Sequence, residues 1–202
     1  MPIERLTRVS DIIFAVAMTI LALVFDPIAT DQMSPEAVTK LLLQQIPSIG
    51  VYIITFVTIA FYWLNHVHQF KYYQKTDAIH TFLSLLSLMF VVLLPYASSL
   101  SELYDGTFAI QVFYSLSAAG VGIFSTAAWI YGTQNRHLVG NTLSDETIRH
   151  VRQEGYVEPL IALLAIAGAW LAPWAWSTTF IVGFPIAFLI QAKLSKKDSN
   201  VV

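Results

Sequence analysis

Residues 5–26 of the chain read RLTRVSDIIFAVAMTILALVFD. Two arginines, a serine and an aspartate lead into an apolar run of nearly bilayer-spanning length, since about 20 helical residues cross the hydrocarbon core. A charged residue inside a membrane helix is costly and usually has a partner on a neighbouring helix. The segment therefore predicts a membrane helix that Ser10 and Asp11 either cap or dock onto a neighbour.

The composition extends this interpretation to the whole chain. Of 202 residues, 56% are hydrophobic and only 12% are charged, about half the charged share of a soluble domain. The fold class is therefore all-α and integral to a membrane. The chain has no cysteine, which excludes disulfides and thiolate metal sites, and its net charge of -2 argues against a nucleic-acid partner. We expect the first apolar stretch to be a retained helix, because Asp11 interrupts it and similar segments recur.

Six segments are long and apolar enough to cross a bilayer. We place these spans at 9–28, 42–64, 79–100, 110–131, 160–176 and 178–194. They form one predicted transmembrane domain over 1–202. The polar stretch from 134 to 158 predicts a short amphipathic helix outside the membrane.

The basic residues predict the orientation, because cytoplasmic loops keep most lysines and arginines. Lys40 alone lies on one side of the predicted spans. Ten lie on the side of both termini, which are therefore predicted to be cytoplasmic: Arg5, Arg8, Lys71, Lys75, Arg136, Arg149, Arg152, Lys193, Lys196 and Lys197. The loops on the opposite side are acidic. They either attract cations or are acidic only because the lysines and arginines lie on the other side.

The first helix carries an apolar stripe. Val16, Ile20 and Leu23 follow the spacing i, i+4, i+7, which puts them on one helix face with Thr19 beside it. Such a stripe is usually a packing seam or a lipid contact. Around a symmetry axis it becomes a hydrophobic constriction that gates a pore by dewetting. Periodicity alone leaves these alternatives open.

A second motif, FYWLNHVHQF, occupies 61–70. Its Trp63, Asn65 and His66 are candidate interface anchors or hydrogen-bonding groups. His66 and His68 point about 200° apart on a helix, so they do not share a metal ion. The six spans contain no nucleophile with a base and no paired carboxylates, which argues against an enzyme and against a proton-coupled transporter.

Three segments together resemble the transmembrane protein 175 family, whose members are potassium channels. RLTRVSD matches its Arg-x-x-x-Phe-Ser-Asp signature at Arg5, Ser10 and Asp11, with Val9 in place of Phe. FYWLNHVHQF is similar to the end of its second helix, at Trp63, Asn65 and His66. LMFVVLLPYASSLSELYDG, at 88–106, is similar to its third helix.

The resemblance implies a homotetramer in a prokaryotic cytoplasmic membrane, with the first helix lining a pore for potassium and other monovalent cations. No cofactor is implied. The constriction falls on Val16, where the family typically has Ile, with further layers at Ile20 and Leu23. Thr19 matches a hydroxyl position that could coordinate a passing cation.

The same resemblance gives the polar motif a role. Arg5, Ser10 and Asp11 are expected to dock the first helix near Trp63, Asn65 and His66, which fixes its rotation. Two alternatives stay open: a secondary transporter, and a non-conducting membrane protein in which the stripe is only a packing seam.

Overall fold

The computed structural model describes residues 2–24, 34–104 and 107–199. Its long elements within these ranges are helical. They are α1 (Ile3–Ile20), α2 (Pro35–Gln44), α3 (Ile46–Phe70), α4 (Ala78–Leu103), α5 (Phe108–Thr133), α6 (Asp145–Leu171) and α7 (Pro173–Ser199). Short 3-10 helices follow α1 (Leu21–Val24) and α5 (Gln134–Arg136). The all-α fold class is confirmed.

Five helices among the described residues are long and apolar enough to cross a membrane. They are Ile3–Leu23, Ile46–Phe70, Ala78–Ser101, Phe108–Arg136 and Asp145–Leu171. The predicted sixth span, 178–194, lies within α7. Residues 25–28 of the predicted first span lie outside the described residues, as do Asp26, Asp31 and Asp105 of the acidic loops.

The second predicted span, 42–64, differs from the structure at both ends. Its first residues belong to the separate helix α2, which Ser34 caps by accepting the Ala37 N–H. Gln45 separates α2 from α3, which has Pro47 in its first turn and ends at Phe70. Proline is tolerated there because the first N–H groups of a helix have no intrahelical acceptor.

The fifth predicted span, 160–176, crosses a real helix boundary. Ala172 adopts an extended conformation, and Pro173 begins α7. At the other end, α6 starts at Asp145, where the Ser144 hydroxyl accepts the Thr147 N–H. The amphipathic helix predicted between 134 and 158 is therefore not separate but forms the first turns of α6.

The helix α3 lies at the centre of the bundle. It contacts α1, α4, α5, α6 and α7, while α1 lies against α3 and α4. Two glycines bring α5 close to its neighbours: a Cβ on Gly120 would lie 2.6 Å from the Phe90 ring, and one on Gly122 would lie 2.5 Å from Pro159 Cδ. Small residues allow such close approach in membrane bundles.

A second apolar cluster, which we call the base cluster, closes one end of the bundle. It joins α1, α3, α5 and α6 through Leu6, Phe70, Tyr73, Trp129, Leu138, Val139 and Val151. An antiparallel bridge between Tyr73 and Val139 links the two loops beside it. The start of α1 is thus packed into the same layer as these loops.

Asp77 links α4, α5 and the loop after α5 at this end of the bundle. Its Oδ1 accepts the His80 backbone N–H at 2.9 Å and caps α4, while its Oδ2 accepts the Tyr131 hydroxyl at 2.7 Å and lies 2.9 Å from His137 Nε2. Desolvation alone would raise the pKa of Asp77, but the hydrogen bonds from Tyr131, His80 and His137 and the attraction to His137 lower it to about 2.

Candidate functional site

One face of α1 is packed inside the protomer. Its residues recur every three or four positions and are almost fully buried: Leu6, Ser10, Phe14, Ala17 and Leu21. Above Ser10 they join the main core with Ile59, Leu88, Val91 and Leu94 of α3 and α4. This burial sets the rotation of α1 about its own axis.

A second face of α1 carries the predicted stripe and is open. Val16 is 49% exposed, Ile20 43% and Leu23 78%. Thr19 is also exposed, and its hydroxyl donates to the Ala15 carbonyl at 2.6 Å. Because that bond uses the hydroxyl hydrogen, the oxygen keeps lone pairs that a cation or a water molecule can use.

Two grooves adjoin the exposed part of α1. The α1–α4 groove, of about 290 Å³, is lined by Val16, Ala17, Ile20, Leu23, Val92, Pro95, Tyr96 and Ser99. The α1–α3 groove, of about 810 Å³, is lined by Asp11, Ala15, Met18, Thr19, Ala22, Tyr52, Phe56, Ala60 and Trp63. The stripe therefore forms one wall of the α1–α4 groove, and Thr19 belongs to the α1–α3 groove.

Asp11 and Trp63 are brought together as neighbours on α1 and α3. The indole Nε1 of Trp63 donates to Asp11 Oδ1 at 3.1 Å in a partly buried setting. Hydrogen bonds to charged groups contribute about 1.5–3 kcal/mol. The buried hydroxyl of Ser10 donates to the Leu6 carbonyl of its own helix at 2.9 Å, and the docking role of Ser10 stays a prediction.

The other motif residues separate onto different faces. The His66 ring stacks on Phe70 with centroids 3.9 Å apart and approaches Phe14 of α1 at 5.5 Å. Asn65 points elsewhere, toward Gln69 Nε2 at 3.5 Å and Glu158. Arg5 is exposed, and its side chain forms no ion pair with any residue that the structure describes. The docking roles of Arg5, Asn65 and His66 stay predictions.

A buried acidic pair lies on α6, one turn apart. Glu154 and Glu158 are both buried. Glu154 bridges two histidines: its Oε2 lies 3.2 Å from His68 Nδ1 and its Oε1 lies 3.2 Å from His150 Nε2. The described residues contain no group of three side chains placed to ligate a metal ion.

The expectation that the spans hold no paired carboxylates is wrong for α6. It depended on a fifth span that begins at 160, whereas the helix starts at Asp145 and turns both glutamates inward. The spacing of four between Glu154 and Glu158, continued from Val151 and toward Ile161, is the signal in the sequence that indicates a shared inward face.

The chain is similar in sequence to known ion-channel proteins. The family model described as "Endosomal/lysosomal potassium channel TMEM175" matches residues 5–95. A potassium channel of Streptomyces collinus is 30% identical over 66% of this chain. The endosomal/lysosomal proton channel TMEM175 of Gallus gallus is 30% identical over 69% of it. The chain spans 66% of the Streptomyces protein and 28% of the Gallus protein.

A solved structure shares the fold over nearly the full length. The crystal structure of a lysosomal potassium-selective channel TMEM175 homologue from Chamaesiphon minutus matches with a TM-score of 0.75 at 21% identity. The match covers 92% of this chain and 96% of that one. At this identity the match concerns the fold.

Long apolar helices packed around α3 define an α-helical membrane protein. Within that class the chain belongs to the transmembrane protein 175 family. The family is one of ion channels and not a class of enzymes.

Proposed function

We propose that this chain is a potassium-permeable cation channel that conducts passively as a homotetramer, with α1 of each copy lining a central pore. The observation that carries the proposal is the open apolar face of α1. A helix that is buried on one side and exposes Val16, Ile20 and Leu23 on the other has an unpartnered face inside a single protomer. The family, and the name of the Streptomyces relative, support potassium as the permeant ion.

In this proposal Val16 forms the narrowest ring, and Ile20 and Leu23 form further apolar layers. A ring of apolar side chains can exclude water until it widens, which makes it a gate. Thr19 adds a hydroxyl oxygen beside the rings, where a cation that has lost part of its hydration shell can be coordinated. The Asp11–Trp63 hydrogen bond helps to keep these side chains at the axis.

The location and orientation belong to the same proposal. We infer a prokaryotic cytoplasmic membrane with both termini cytoplasmic and one transmembrane domain over 1–202, supported by the lysine and arginine placement and by the bacterial relative. Conduction needs no cofactor in this scheme. The rivals are a secondary transporter and a non-conducting membrane protein.

Cysteine accessibility tests the proposal cleanly, because the natural chain contains no cysteine. Single variants Val16→Cys and Ile20→Cys are reconstituted in liposomes and treated with a charged, water-soluble thiol reagent. We expect both to react and potassium flux to fall. Leu164→Cys is the matched control: it is as apolar and 62% exposed, but lies on α6 and not on α1, so we expect neither reaction nor block.

Two outcomes favour the rivals. Unreactive cysteines at 16 and 20 in a folded, conducting protein would mean that α1 does not line the water-filled path. Saturable, substrate-coupled uptake in place of passive flux would identify a transporter.

A further inference from the structure

A polar cavity lies where α5 ends and α6 begins, away from α1. It has a volume of about 380 Å³. Three arginines, Arg136, Arg149 and Arg152, share its wall with Asp145 and the last residues of α5. Cavities lined by several guanidinium groups are suited to phosphate, because each guanidinium can donate two parallel hydrogen bonds to its oxygens.

The local backbone aims these arginines at one space. On α6, Asp145, Arg149 and Arg152 follow the spacing i, i+4, i+7 and share one helix face. On the facing segment, Asn135 and Arg136 have φ angles of 53° and 55°. This left-handed conformation is unusual for a residue other than glycine and turns the chain sharply after α5.

The charges in the cavity are only partly neutralised. Arg136 Nη2 lies 2.6 Å from Asp145 Oδ1, and its Nη1 donates to the Leu143 carbonyl. Arg149 and Arg152 have no acidic partner within ion-pair distance in the described part of the chain. Two positive charges are therefore left over, and an anion that bound both would relieve their repulsion.

Arg152 supplies the sharpest indication. Its Nε is fully buried and has no hydrogen-bond partner among the described residues. A buried, unpaired donor on a charged group is unfavourable. An arginine that only extended into water at the membrane surface would keep this N–H hydrated, so mere surface placement does not account for it.

The cavity lies between the ends of two candidate membrane helices. It is lined by the last residues of Phe108–Arg136 and the first turns of Asp145–Leu171, both membrane-spanning candidates. Nearby, the buried Trp129 of α5 donates its Nε1–H to the Ile148 carbonyl of α6 at 3.1 Å. Basic pockets between membrane helices on the cytoplasmic side are suited to anionic headgroups.

We propose that this cavity is a phosphate-binding site, formed by Arg149 and Arg152 with Arg136 held in place by Asp145. The ligand is a phosphate monoester or inorganic phosphate, presented either by an anionic phospholipid such as phosphatidic acid or by the solution. The site is separate from the proposed pore, and its occupancy is measured without any conduction assay.

The test compares binding of phosphatidic acid, phosphatidylcholine and inorganic phosphate to the purified full chain in neutral detergent. Native mass spectrometry counts bound lipid, and the shift in thermal unfolding reports inorganic phosphate. The test variant is Arg149→Gln with Arg152→Gln. Lys75→Gln with Lys71→Gln is the matched control, because it removes the same charge from exposed positions outside the cavity.

We expect phosphatidic acid to bind the wild type and the control, and to bind the double arginine variant roughly tenfold or more weakly, since bonds to two charged donors are lost. Phosphatidylcholine should bind weakly to all three. A response to phosphatidic acid alone identifies the lipid as the source, and an arginine-dependent response to inorganic phosphate identifies the free ion.

Three results would overturn the site. The first is no response of the wild type to either phosphate source, and the second is a response to each source that is equal in wild type and the double arginine variant. The third is equal binding of both lipids by the wild type without an arginine-dependent response to inorganic phosphate. If the glutamine variant fails to fold, Arg149→Lys with Arg152→Lys replaces it. That pair keeps both positive charges but loses the planar guanidinium, which donates two parallel hydrogen bonds. It should therefore still bind phosphate more weakly than wild type does.

Discussion

The two faces of α1 have nearly the same composition and opposite surroundings. One face presents Phe14, Ala17 and Leu21 to α3 and α4 and is almost fully buried, while the other presents Val16, Ile20 and Leu23 outward. In a bilayer both faces could be covered by something apolar, so hydrophobicity does not distinguish them. What distinguishes them is that the first face is covered within the protomer and the second is left about half exposed or more.

We therefore expect one face of α1 to determine the stability of the protein and the other face to determine its conduction. The buried face holds α1 in the bundle, and its substitutions should unfold the protein. The open face contributes little to the protomer, and its substitutions should change what the assembled protein conducts.

The largest effect on stability is expected from Phe14→Ala. Phe14 is 1% exposed and touches His66, so truncation leaves a cavity and should destabilise the protein by about 3 kcal/mol or more. Val16→Ala, two positions away, should change the free energy of unfolding by only about 0.5 kcal/mol. Unfolding in detergent by SDS titration measures both. Equal losses would abolish the distinction between the faces.

Trp63→Phe tests what fixes the rotation of α1. It removes the donor to Asp11 Oδ1 and should lower stability by about 1–2 kcal/mol, because a partly buried carboxylate loses its partner. Trp170→Phe, at an exposed position on α6, is the control and should be nearly neutral.

A double-mutant cycle with Asp11→Asn isolates the Asp11–Trp63 contact. Strictly additive losses in the cycle would mean that the hydrogen bond does not couple the helices.

Acid titration tests the end of the bundle where the buried face of α1 meets the base cluster. The folded-state pKa of Asp77 is lowered to about 2 from its usual value near 4. Its stabilising contribution is therefore complete above about pH 4 and is lost as the pH falls toward 2.

Asp77→Asn keeps a side-chain acceptor for the cap and removes the charge. Its unfolding free energy should be lower than that of wild type at neutral pH, and the difference should shrink between about pH 4 and 2. A constant difference across that interval would show that the charge of Asp77 does not stabilise this end.

The smallest expected effect concerns selectivity at the open face. Val16→Ile adds one methylene per subunit to the proposed narrowest ring, so ions should lose more of their hydration there. The potassium-over-sodium permeability ratio, taken from reversal potentials, should rise. Val182→Ile makes the same change at an exposed position on α7 and should leave the ratio unchanged. An unaltered permeability ratio in Val16→Ile would mean that Val16 does not contribute to ion selectivity.

Much of the helical fold can be predicted from the sequence, because helix length and helix faces depend on local residue patterns. The stripe at Val16, Ile20 and Leu23 follows from helical periodicity, and in the structure these side chains lie on one exposed face of α1. The neighbourhood of Asp11 and Trp63 followed from the family motif and not from spacing, because the two residues are 52 positions apart.

Other features depended on contacts that no local pattern encodes. Glu154 and Glu158 are polar enough to suggest a surface segment, yet α6 begins early and buries both against α3. Ser10 satisfies its hydroxyl within its own helix, and Asn65 and His66, adjacent in sequence, face different neighbours. Which helix supplies a partner is decided by packing across the bundle.

The most direct test of the central claim is potassium flux from liposomes containing wild type, Val16→Ala or Val16→Trp, each verified as a folded oligomer. Leu164→Trp, bulky at an exposed position on α6, is the control. The account predicts flux in wild type, Val16→Ala and Leu164→Trp, and its loss in Val16→Trp alone. Undiminished flux in Val16→Trp, or none in wild type, would contradict a pore lined by the open face of α1.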